Sequence, residues 1–226
     1  MKQSELDKQL RLVAKTQAKE RSWKSVAGMP YWQSGPLFFV LVLSASVKER
    51  SFFASLRFKW LALDSMLWRV LGMEGNEKKP FSLHANGAFA LMGTELLSCH
   101  EKVSAWESGA LEAETCRVMQ LAHECAAETA NSVSTLDGYL GFIKAKHAVL
   151  MERHPRAVVT TWPEQLLAAM VADDAQLAKD IAQARIAARD SGGYVSRGLS
   201  LYQRALALLE LPPNSSFKPT PLRGAA

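Results

Sequence analysis

The chain has 226 residues, 48% hydrophobic and 22% charged, with a formal net charge of +5, which excludes a disordered or low-complexity protein and leaves room for one large domain or two small ones. Its three cysteines, Cys99, Cys116 and Cys125, are odd in number and scattered, so reduced thiols are expected and not a secreted disulfide scaffold. The longest apolar run, Leu37 to Leu43, is far short of a membrane span and residues 1–9 are polar, so a soluble, cytoplasmic protein is expected.

In chain order, Ser4 with Asp7 three residues later predicts a capped helix from Glu5 to about Arg21, with Leu6, Leu10 and Val13 facing inward. Trp23 to Trp32 reads as an edge or bulged strand, because Gly28 and Pro30 interrupt it. Leu37 to Leu43 is apolar at both parities, the pattern of a strand covered on both faces, and is expected at the sheet centre. Ser51 to Trp60 alternates: Phe52, Ala54, Leu56, Phe58 and Trp60 share one face, while Ser55, Arg57 and Lys59 share the other. That period of two predicts a half-buried strand. Asp64 then caps a short helix, Ser65 to Leu71, ended by Gly72. Trp60 and Trp68 are expected to pack in one core under the first helix.

Residues 74–80 read as a charged loop, and Phe81 to Leu91 as a further hairpin around Asn86-Gly87, a pair suited to a type I′ turn. From Gly93 onward helix signals dominate. Helices are expected over Leu111 to Asn131, then Thr135 to Arg153 behind Ser134 and Asp137, ended by His154-Pro155. Others follow from Thr161-Trp162-Pro163-Glu164 to about Val171, over Ala175 to Arg189, and from Leu199 to Leu211. The last two flank Ser191-Gly192-Gly193 and resemble one tetratricopeptide-type unit, too few for an array. The fold class expected is α+β: an N-terminal helix with a mainly antiparallel sheet over 1–95, a helical region over 96–212, and a disordered, proline-rich tail over 213–226.

No pattern that carries catalysis stands out. Cys116 and His123 at i, i+7 lie about 10 Å apart along a helix, and Cys125 points away from His123, so no metal site and no cofactor are expected. Ser82, His84 and Glu95, or Cys99 with His100, are the nucleophile candidates, but no strained elbow or oxyanion nest accompanies them. No phosphate loop is present. The six tryptophans read as core.

Charge is uneven: residues 1–95 carry 14 basic against 8 acidic side chains. Lys8, Arg11, Lys15 and Lys19 recur at i, i+3, i+7 and i+11, a basic stripe along the first helix. Arg57 and Lys59 extend that patch if helix and sheet edges adjoin. An acidic protein is the partner this charge implies, with nucleic-acid phosphate as the alternative.

The run Leu56-Arg57-Phe58-Lys59-Trp60, followed by Leu63-Asp64, Leu67-Trp68, Leu71, Met73, Asn76, Pro80, Ser82-Leu83 and Asn86-Gly87-Ala88-Phe89, resembles uncharacterised bacterial domain-of-unknown-function proteins, some of them similar in style to immunity proteins of contact-dependent toxin systems. The resemblance spans roughly residues 5 to 95. It implies a small bacterial α+β protein that binds another protein, with no catalytic residues, and the proline-rich tail departs from it. The expected function is a non-enzymatic protein-binding factor of immunity or antitoxin type.

Overall fold

In the computed structural model, which describes residues 2–87, 89–106, 109–153 and 161–211, the chain opens with helix α1 over Gln3–Glu20. The helix starts ahead of the expected Ser4 cap: the Lys2 backbone N–H donates to the Glu5 carboxylate at 3.0 Å. Leu6, Leu10, Ala14 and Ala18 form its buried stripe. The segment Trp23 to Trp32 is a hairpin of β1 (Lys24–Val26) and β2 (Met29–Ser34) instead of one strand. Ala27 and Gly28 both take positive φ, 49° and 85°, the requirement of a type I′ turn. Gly28 also lies under α1, since a Cβ there would sit 2.5 Å from Arg11 Cγ.

Strands β3 (Leu37–Ser46) and β4 (Ser51–Trp60) follow, and β5 (Thr94–Lys102) completes an antiparallel sheet in the order β1-β2-β3-β4-β5. The apolar β3 is therefore central, as its two-parity pattern predicts. Register places Phe39 opposite Phe58 and Leu41 opposite Leu56 on the first face, and Phe38 opposite Lys59 and Val40 opposite Arg57 on the second. Helices α1 and α4 (Ala110–Ser132) pack together against the first face. There Trp32 stacks on Phe39 and meets His123 of α4 at 6.0 Å, and the Trp23 indole N–H donates to His123 Nδ1 at 3.1 Å.

Expectation and structure part between residues 81 and 102. Asn86 and Gly87 do not turn a hairpin: Leu83–Asn86 is a helical turn, α3, and Gly87 has φ −69°, so the positive φ of a type I′ turn is missing. Its N–H donates to Leu83 O at 2.7 Å, closing the helical turn. Strand β5 escapes the sequence pattern because the β4–β5 register shifts at Leu56/Arg57. Leu97 sits opposite Leu56 and Glu95 opposite Arg57, so Leu96 and Leu97 break the alternation.

The contacts divide the chain into two compact units, Met1–Leu61 with Pro80–Ser134 and Ala62–Lys79 with Thr135–Ala226. The boundary expected after residue 95 falls inside β5, and Trp60 and Trp68 fall in different units. The second unit contains α2 (Ala62–Leu71), a 3-10 turn (Glu74–Lys78), α5 (Leu136–Arg153), α6 (Trp162–Val171), α7 (Ala175–Ala187), the hairpin of β6 (Val195–Ser196) and β7 (Leu199–Ser200), and α8 (Leu201–Leu209). Asp64 is buried within the first turn of α2. Thr135, not Ser134, begins α5, its Oγ1 accepting from the Gly138 N–H at 3.0 Å. Arg204 of α8 is buried, and its Nε donates to Val70 O, one of the last carbonyls of α2, at 2.9 Å. The tail expected to be disordered, 213–226, and the helix end at His154-Pro155 lie outside the described residues.

Candidate functional site

Helical periodicity turns Lys8, Arg11, Lys15 and Lys19 away from the buried stripe of α1, and all four are exposed. None of them forms an ion pair with a described residue. The stripe is about 16 Å long by helical rise, so its uncompensated charge presents one continuous positive edge to solvent. Leu12, four residues after Lys8 and three before Lys15, is 66% exposed in the middle of it. Sequence reasoning missed Leu12; the signal was an apolar residue displaced from the Leu6, Leu10 and Val13 face.

Arg57 and Lys59 do not extend this patch. Both point to the second sheet face, opposite the face that carries α1, because side chains on one strand alternate. Lys59 is 2% exposed, so the expectation of a solvent-facing lysine is corrected: residues 81–87 and 89–92 cover this face, and β4 is buried on both sides. The Lys59 ammonium donates to His84 O at 2.8 Å and Leu91 O at 2.9 Å and lies 5.4 Å from the Phe38 ring centroid. Those bonds offset the desolvation of a buried cation and tie both ends of the segment 84–91 to the sheet. Gly93 completes the closure: its φ is 74°, and a Cβ there would lie 2.5 Å from Phe58 O.

The nucleophile candidates are not assembled. Glu95 accepts from Ser55 Oγ at 2.6 Å, not from Ser82 or His84. Cys99 and His100 are neighbours on β5 and alternate to opposite sides. Cys116 accepts from Arg21 Nη2 at 3.5 Å while His123 accepts from Trp23, so the two are engaged with different partners. Among the described residues no group of three or more His, Cys, Asp or Glu side chains could hold a metal ion, and no helix is long and apolar enough to cross a membrane.

In the second unit the buried polar side chains among the described residues are Asp64, Thr161, Glu164 and Arg204. Thr161, the residue before α6, makes no side-chain capping bond to the helix backbone; its Oγ1 accepts from Gln165 Nε2 at 2.8 Å. Glu164 turns inward instead, and burial pushes its carboxyl up to about 7. Burial likewise raises the Tyr202 phenol, with the charge of Asp190 adding to it. Arg185 lies 4.5 Å from the centroid of the Trp162 ring. Comparison with known protein families, curated proteins and solved structures finds no match.

Proposed function

We propose that the protein is a non-enzymatic binding factor that docks an acidic partner protein on the outer face of α1. The observation that carries this reading is the stripe itself: four exposed cations with no ion pair among the described residues, set around an exposed leucine. Charge of one sign attracts a complementary surface and speeds encounter. An apolar residue at the centre of a charged rim is the arrangement expected where contact excludes water. The immunity or antitoxin character of the factor is supported by the sequence resemblance alone. A cytoplasmic setting suits the three unbridged thiols.

The test is binding of the full chain to the product of the adjacent gene and, in parallel, to a random DNA duplex. Saturable binding to the protein, weakened by reversing Lys8, Arg11, Lys15 and Lys19 to Glu, supports the reading. Binding to the duplex alone, equally sensitive to that reversal, would transfer the stripe to phosphate contact.

A further inference from the structure

The second sheet face holds a cavity of about 200 Å³ between the sheet and the segment that Lys59 ties down. Val40, Val42 and Phe53 of the sheet and Leu91 of the covering segment give it apolar walls, and Ser55, Arg57 and His84 are the polar groups that line it. Ser55 is 1% exposed and fixes the arrangement: its Oγ donates to Glu95 Oε2 at 2.6 Å and accepts from Arg57 Nε at 3.3 Å. The two Nη groups of Arg57 bond to no described residue, and Glu95 does not form an ion pair with the guanidinium.

A guanidinium anchored through Nε keeps a planar pair of donors that matches a carboxylate. The apolar walls reject a small hydrated anion and favour a hydrophobic body behind that carboxylate. The volume is below the roughly 300–1,000 Å³ of pockets that enclose drug-sized ligands, so the occupant is small. We propose that this cavity binds a small monocarboxylic acid with an apolar body, its carboxylate on Arg57 and its chain or ring against Val40, Val42 and Phe53. The site lies on the sheet face opposite α1, so its occupancy is separable from docking on the basic stripe.

The test is calorimetric titration of the full chain with benzoate and with hexanoate, against benzamide and inorganic phosphate. Saturable binding of at least one acid is expected, with benzamide and phosphate weaker by about tenfold or more, as loss of a charge-assisted hydrogen bond implies. Arg57→Gln should weaken the acid by a similar factor, and reversal of Lys8 and Lys15 to Glu should leave it unchanged. Because Arg57→Gln can disturb the sheet, a second measurement uses the unaltered chain: backbone amide shifts of Ser55 and Gly87 should move on adding the acid, while those of α1 stay fixed. Failure of both acids to saturate, equal affinity for benzoate and benzamide, equal affinity of wild type and a folded Arg57→Gln, or acid-induced shifts confined to other regions would each overturn the proposal.

Discussion

At Glu164 the side chain is 9% exposed, and burial raises its carboxyl from 4.5 to about 7. A group with a raised folded-state pKa binds more protons folded than unfolded, so its contribution to stability is full below about 4.5 and is lost as pH rises through about 7. Glu164→Gln, neutral at every pH, should therefore gain stability relative to wild type across that window, by on the order of 2–3 kcal/mol at its upper end. Urea unfolding at a series of pH values measures the gap between the two proteins, and a gap constant from pH 4 to 8 would contradict the assignment. Trp68, 1% exposed in α2, carries a plainer expectation: Trp68→Ala should cost about 3–5 kcal/mol of unfolding free energy as a large-to-small core change. An unchanged thermal midpoint would place that ring outside the core.

Among the elements, the segment 84–91 is held at both ends by the Lys59 ammonium, which bonds His84 O and Leu91 O, and α3 within it has no buried residue. Lys59→Met keeps the aliphatic stem but leaves two carbonyls without the ammonium, a loss of about 1–3 kcal/mol. Hydrogen exchange should then accelerate in residues 84–91 while the β3 amides keep their protection; uniform acceleration would mean that the lysine supports the whole sheet. The same residue shows where sequence reading stops. Alternation along β4 correctly separates Phe58 from Lys59, but alternation cannot report that a distant segment will cover the polar side. The central place of β3 was legible because an apolar run at both parities has no other stable location. Strand β5 was not, because the register shift leaves Leu96 unpaired between Leu97 and Glu95 and so breaks the alternation. Asn86-Gly87 misled because a dipeptide suited to a type I′ turn also suits the end of a helical turn. Positive φ occurs instead at Ala27-Gly28 and Arg197-Gly198, both at hairpin turns.

Across the whole molecule, the chain leaves its first unit after Leu61, returns at Pro80 and leaves again after Ser134. No composition change marks these crossings, which is why a single boundary near residue 95 looked natural. The four stripe cations all belong to the first unit and were legible as a periodic set; that they lack ion pairs among the described residues, and that Leu12 lies among them, required the structure. If that edge docks an acidic protein, it should act chiefly on encounter, through a field screened over about 8 Å at physiological ionic strength. The direct measurement is the stopped-flow association rate of the full chain with the adjacent gene's product as salt is raised, for wild type and for the variant with Lys8, Arg11, Lys15 and Lys19 reversed to Glu. The wild-type rate should fall with salt and the folded variant should associate at least tenfold more slowly at low salt, the lower end of the range for electrostatic steering. A folded variant that associates as fast as wild type, with the same salt dependence, would contradict the assignment of the partner surface to α1.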